Sequence, residues 1–347
     1  MDKIVSFIIP SYNVEKYLNT CLTSFLNLDV IDKIEVIVVD DGSKDRTAQI
    51  AREYIERYPD VFRLISKENG GHGSAINVGT SVAVGRYIKV IDADDWVVTE
   101  NLKYFVEKLQ DCTADVVLNP YHQVDMKTGE KTVWKMFLEN YETFYTLEDV
   151  VQNWKSFDRC FAFHGICYNR EFYQKYRYEL PEKIFYEDHE YTTIPCSYAK
   201  SIYPMDLYLY QYLVGNSEQS VSVTNRLKRM SHVEKVTEDL IRHYNIHAEF
   251  SESAKEYIYK KTEGVILSYY VAGCIMNPNK KMGRNDCFRY NKMIQNLNLE
   301  FWNRVKKKFK VYLWMNRLGI SFSMYEKMLH SELYNKLRHN QKIDLEK

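Results

Sequence analysis

The segment from Arg86 to Val97, "RYIKVIDADDWV", ends an apolar run in three carboxylates within four positions, Asp92, Asp94 and Asp95, followed by a tryptophan. Like charges crowded at the end of a buried strand repel one another unless a cation compensates them. Asp92 and Asp94 lie two residues apart, so an extended chain projects them to one side and Ala93 to the other. Hard oxygen ligands in that arrangement suit Mg2+ or Mn2+, commonly shared with phosphate oxygens. A metal-bound diphosphate is then one source of the missing charge. The residues alone also allow a loop of solvated aspartates capping the next helix, because Asp-x-Asp is frequent by chance.

Two further polar clusters follow apolar runs. "VVDDGS" carries Asp40 and Asp41, and "NGGHGS" carries Gly70, Gly71, His72 and Gly73. Later, "IFYEDHEY" brings the acidic pair Glu187 and Asp188. A carboxylate there could take a proton from a hydroxyl. Acidic pairs at helix starts also commonly do no more than offset the helix dipole.

The elements that must position these clusters alternate in the first third of the chain. "VSFIIP", "EVIVVD", "FRLIS" and "YIKVID" read as buried strands. Between them lie helical patterns: one capped by Asn13, one starting at Ser43 and stopping near Pro59, and a small-residue helix over "SAINVGTSVAVG". A helix from Thr99 and the strand "DVVLN" follow. Continuous apolar strands separated by helices predict a parallel sheet covered on both faces, with its ligand beyond the carboxyl ends of the strands. That rule sends all three polar clusters to one crevice. After residue 120 the pattern predicts a hairpin around Thr128 and Gly129, a short helix over "TLEDVVQNW", a strand then helix over "FAFHGICYNREFYQKY", and one strand over "YPMDLYLYQYLVG". From Val223 onward the chain reads as helical. The expected division is 1–222, made of halves 1–120 and 121–222, then 223–347.

The order and spacing of "SFIIPSYN", "VVDDGSKDRT", "ENGGHGSAINVG" and "YIKVIDADDW" resemble the family 2 glycosyltransferases. The resemblance covers roughly residues 4–100, and four motifs in order are far more specific than any one of them. It implies an α/β fold of the GT-A type, a Rossmann-like mixed sheet flanked by helices with a helical C-terminal region. It also implies inverting transfer from a nucleotide-sugar, with a UDP-sugar the expected donor, to a hydroxyl of a glycan or lipid-linked glycan. On this resemblance Pro10, Tyr12 and Asn13 line the base, Asp41 (or Asp40) accepts from the base, and Gly71, His72, Asp92 and Ala93 border the donor. Asp94 and Asp92 would hold Mn2+ or Mg2+, and Asp188 would be the base, with Glu187 its neighbour. Many relatives carry arginine where this chain has Ile76, and His72 is a possible replacement. "YLVGNSEQSVS" would be a loop closing over the diphosphate, with Gln219, Ser220 and Arg226 as phosphate contacts. His164 and Gly165 are candidates for sugar contact, His164 equally a core histidine.

The remaining composition narrows the classes. With 47 basic and 47 acidic side chains, no net charge favours nucleic acid. The seven scattered cysteines fit reduced packing residues in a cytosolic protein. The apolar N-terminal stretch is too short for a signal peptide, and no run is long enough to span a bilayer. The expectation is a cytoplasmic protein engaged in surface polysaccharide, teichoic-acid-like or glycoprotein glycan assembly. The basic-aromatic stretch 301–322 would either rest on the inner face of the membrane, or pack on the catalytic domain or in a homodimer. A dinucleotide-dependent oxidoreductase is disfavoured, because its glycine fingerprint would open the first turn, which here is "PSYNVE". A non-catalytic nucleotide-sugar-binding module with the same fold is the alternative.

Overall fold

The computed structural model describes residues 3–215, 222–246 and 250–329. The chain forms two compact units, one of Met1–Gln219 with Ile246–Lys261, the other of Ser220–Asn245 with Thr262–Lys347.

In the first unit the strands are β1 (Val5–Ser11), β2 (Ile34–Asp40), β3 (Phe62–Ser66), β4 (Tyr87–Val90), β5 (Trp96–Val97), β6 (Val116–Leu118), β7 (Tyr121–Asp125), β8 (Lys131–Trp134), β9 (Ile166–Asn169), β10 (Ile202–Pro204) and β11 (Tyr210–Val214). Seven of them form a sheet in the order β10-β6-β9-β4-β1-β2-β3. Every residue of β1, β2 and β4 is buried, as expected for strands covered on both faces. Strands β1, β2, β3 and β4 pair in parallel, with Ser11 opposite Asp40 and Asp40 opposite Ser66. Their carboxyl ends therefore share one edge. The sheet is not wholly parallel: β9 runs antiparallel between β4 and β6. That reversal brings the residues just before β9, His164 among them, to the same edge. A second sheet, β5-β11-β7-β8, begins directly after the Asp92–Asp95 turn.

The helices of this unit are α1 (Leu18–Thr23), α2 (Thr47–Arg57), α3 (His72–Val82), α4 (Thr99–Asp111), α5 (Leu147–Gln152), α6 (Trp154–Phe157), α7 (Arg170–Tyr176) and α8 (Asp188–Thr193). Three expectations need correction. Asn13 caps no helix. It has φ +53°, its N–H donates to Ser43 Oγ (3.0 Å) and its Oδ1 accepts from Lys44 N (2.8 Å), so it ties two loops together and α1 starts at Leu18. The helix expected from Ser43 starts at Thr47, because Ser43 N donates to Asp40 Oδ1 in the turn and Asp45 accepts from Thr47 N. "YPMDLYLYQYLVG" is two strands in different sheets, β10 and β11. The predicted hairpin is β7 and β8, turning at Gly129 with φ +72°.

The second unit is helical: α9 (Val223–Lys228), α10 (Met230–Ile246), α11 (Glu252–Tyr270, entering it at Thr262), α12 (Lys280–Leu297), α13 (Leu299–Arg317) and α14 (Phe322–Leu329). All seven cysteines are free and buried. No described helix is long and apolar enough to cross a membrane.

Candidate active site

The crevice at the shared strand edge is built from loops that hold one another by hydrogen bonds. Asp41 follows β2, is buried, and accepts from Gly70 N (2.9 Å), Gly71 N (2.7 Å) and Lys67 Nζ (2.8 Å). A carboxylate offers about four lone-pair sites, so one acceptor position is left on Asp41. Asp40 is also buried and accepts from the turn through Ser43 N. Pro10, within β1, and Ala93, in the acidic turn, are buried, whereas Tyr12 stands 49% exposed just past the end of β1.

The glycine-rich segment does more than leave room for a ligand. A Cβ at Gly71 would stand 2.9 Å from Lys183 N, and one at Gly73 would meet Glu187 Cγ at 3.0 Å. The approach these glycines permit is that of the segment 180–187. Lys183 N donates to Gly70 O (2.7 Å), Ser74 Oγ donates to Glu182 (2.9 Å), and Asn77 bonds both N and O of Leu180 (3.1 and 2.9 Å). Helix α3 thus holds the loop that delivers Glu187 and Asp188. Ile76, at the place of the arginine of many relatives, is fully buried.

His72 opens α3 and joins the two acidic clusters. Its Nδ1 bonds Glu187 Oε1 (2.6 Å) and its Nε2 bonds Asp92 Oδ1 (2.9 Å). Burial pulls the imidazole pKa down, but the Asp92 charge and the hydrogen bonds to both carboxylates outweigh this and hold it well above its ordinary value. The ring is therefore an imidazolium donating from both nitrogens. Burial pushes the Asp92 carboxyl up, and the His72 charge turns the balance, leaving its pKa lowered. A protein side chain supplies part of the missing cation, and Glu187 and Asp92 lie one imidazole ring apart.

Asp95 is locked in place rather than solvated. It is 1% exposed, its Oδ2 accepts from Tyr210 OH (2.6 Å) and its Oδ1 from Leu213 N (2.7 Å). Burial, with Asp94 and Asp92 adding repulsion, raises its pKa well above the carboxylate range. Tyr210 OH also accepts from Asp92 N (3.0 Å), so β11 fixes the whole acidic turn. Nothing in the sequence pattern flagged Tyr210, which lies more than a hundred residues away.

His164 stacks on Tyr212 with ring centroids 4.1 Å apart and touches Tyr121 and Tyr210. Burial pushes its pKa down to about 4, so it is neutral, and its buried Nδ1 has no hydrogen-bond partner among the described residues. Ligand atoms of Asp92, Asp95 and His164 lie within 4.8 Å of one another. The carboxyl groups of Asp92 and Asp95 and a neutral imidazole fit a divalent cation, whose charge would oppose the burial and repulsion that raise the Asp95 pKa. Asp94, expected with Asp92 to hold the metal, is half-buried and is not part of this group.

Asp188, the first residue of α8, is half-buried beside Glu187. Its charge acts on Lys261, whose Nζ donates to Phe161 O (2.5 Å). Burial lowers the Lys261 pKa to about 8, with Asp188 opposing that shift. Beneath the site, fully buried Lys89 donates to the carbonyls of His164 (2.9 Å) and Ile166 (3.1 Å), and burial takes its pKa to about 8. The expected closing loop falls largely on 216–221, with Gln219 and Ser220, outside the described residues; Arg226 lies in α9.

Residues 6–177 match the sequence profile of glycosyl transferase family 2. The chain belongs to that family. Among its relatives is the putative glycosyltransferase EpsH of Bacillus subtilis (strain 168), 27% identical over 288 residues, covering 82% of this chain and 80% of that protein. The minor teichoic acid biosynthesis protein GgaB of the same organism is 36% identical over 136 residues, which are 38% of this chain and 15% of that one. The crystal structure of S. aureus TarS 1–349 in complex with UDP-GlcNAc superposes with a TM-score of 0.67 at 19% identity, covering 92% of this chain and 93% of that one. The mixed sheet flanked by helices is thus the GT-A fold, and the family 2 membership makes the protein a glycosyltransferase.

Proposed function

We propose that the protein is an inverting glycosyltransferase that moves a sugar from a UDP-sugar to a hydroxyl of a bacterial surface glycan of the polysaccharide or teichoic-acid type. The observation that carries this reading is the His72 bridge, which links the Asp92 turn to the Glu187–Asp188 pair through one imidazole ring. Inverting transfer needs the leaving diphosphate and the base on opposite sides of the sugar carbon, and these two clusters are fit for those places. The UDP-GlcNAc bound by TarS and the teichoic acid assignment of GgaB point to the donor and the polymer class.

In this mechanism Tyr12 offers its exposed ring to the base, beside Pro10 and Asn13, and Asp41 accepts from a base N–H at its remaining lone pair. The Gly71–His72 helix start and Ala93 border the diphosphate and sugar. Asp92, Asp95 and His164 would hold Mn2+ or Mg2+, with Asp94 the further carboxylate of the turn, and the imidazole favours the transition metal. When bound, such an ion neutralises charge developing on the leaving diphosphate. Asp188 takes the acceptor proton as that oxygen attacks C1, the C1–O bond to the diphosphate breaks, and the configuration inverts. Glu187, bonded by His72, directly precedes Asp188 at the start of α8.

The test is a product assay with a panel of UDP-, GDP- and dTDP-sugars and a teichoic-type acceptor, read by NMR at the anomeric carbon. An inverted anomer from a UDP-sugar, abolished in Asp188→Asn, is the expected result. Retention of configuration, or full turnover in Asp188→Asn, would overturn the assignment.

A further inference from the structure

Helix α13 of the second unit carries two opposed faces. Phe301, Val305, Phe309, Leu313 and Asn316 are buried along one side. Asn316 pins that side, donating to Cys274 O (2.9 Å) and accepting from Arg284 (2.6 Å). At 100° per residue, the opposite side is centred on Trp314 and flanked by Lys307, Lys310, Val311, Arg317 and Leu318. All six are exposed, and Trp314, Leu318 and Val311 are 60%, 56% and 50% accessible. From 301 to 322 there are six basic residues (Arg304, Lys306, Lys307, Lys308, Lys310 and Arg317) and no acidic ones.

An outward tryptophan ringed by aliphatic and basic side chains is costly to leave in water and is matched to an anionic, partly apolar surface. We infer that this face of α13 docks on the surface of a bilayer containing anionic phospholipid, with Trp314 at the headgroup level and Lys307, Lys310 and Arg317 on lipid phosphates. The helix lies on the membrane rather than crossing it, since no described helix is long and apolar enough to span one. A second copy is a poorer occupant, because two such faces would bring like charges together.

The test is co-sedimentation of the full chain with vesicles of phosphatidylcholine alone and of phosphatidylcholine mixed with phosphatidylglycerol, at low and high salt. Binding is expected only with the anionic vesicles, weaker at high salt, and with a blue shift of tryptophan emission that Trp314→Ala reduces. The double variant Lys307→Glu, Lys310→Glu should lower the partition by about tenfold or more, with an unchanged melting temperature showing that the fold survives. Failure to bind anionic vesicles, or equal binding by both variants, would overturn the inference. So would light scattering showing that Trp314→Ala converts a dimer to a monomer, which would give the face to a second copy.

Discussion

Replacing His72 by alanine tests how the crevice is held together. The substitution leaves two carboxylates facing each other without the imidazolium between them. The Glu187 side chain is 4% exposed and that of Asp92 29%. Breaking a buried charge pair by removing one partner typically costs about 3–5 kcal/mol, and the better-solvated Asp92 contact adds roughly 0–1 kcal/mol. Water entering the vacated space recovers part of this. A net loss of about 3 kcal/mol follows. For a unit of this size each kcal/mol shifts the melting temperature by roughly 2–4 °C, so a fall of about 6–12 °C is expected in calorimetry near neutral pH. Adding Glu187→Gln removes the stranded charge. The double variant should therefore be less damaged than the sum of the single ones, by about 2 kcal/mol. A fall below about 2 °C in His72→Ala, or strict additivity in the cycle, would refute the bridge.

Other consequences can be measured separately. Asp188→Asn should cut kcat by about 10²–10⁴ while leaving donor binding intact; an equal loss of donor affinity would instead assign it to binding. Gly71→Ala places a Cβ 2.9 Å from Lys183 N at φ +91°, so a stability loss of about 1–3 kcal/mol is expected in denaturant unfolding, together with weaker nucleotide binding. Lys261 has its pKa lowered to about 8. Between pH 8 and about 10.4 the unfolded chain therefore keeps a proton that the folded chain has shed, and stability rises with pH. Relative to Lys261→Met, the wild type should gain up to about 1.4 kcal/mol per pH unit in that window, as chemical denaturation at stepped pH would reveal. A difference that is flat or falls with pH would contradict the assignment.

The parts of this architecture readable in the sequence are those governed by local pattern. Buried strands such as "VSFIIPS" and "IEVIVVD" declare themselves by unbroken apolar runs, and "VIDADDW" by carboxylates at the end of one. The helical region after Val223 is equally plain. What local pattern could not give is partnership across long separations. Asn13 carries a good capping side chain, but the second loop offers it better bonds. His72 is visible as an unusual residue in a glycine turn, yet its two acceptors lie 20 and 115 positions away. The Asp95–Tyr210 bond spans 115 positions. The antiparallel insertion of β9, which carries His164 to the site, has no signature in a strand of four residues. Asp40, Asp41 and Asp95 look like solvated carboxylates in the sequence; they are buried because turns and distant donors satisfy them.

The most direct measurement of the central claim is a calorimetric titration of UDP, with GDP and dTDP for comparison, into the wild type and into Asp92→Ala, each with and without Mn2+. The account predicts that UDP binds in a manganese-dependent way to the wild type, and that affinity falls by about tenfold or more in the variant. UDP binding unaffected by both manganese and Asp92→Ala would contradict it, and so would no binding of any nucleotide.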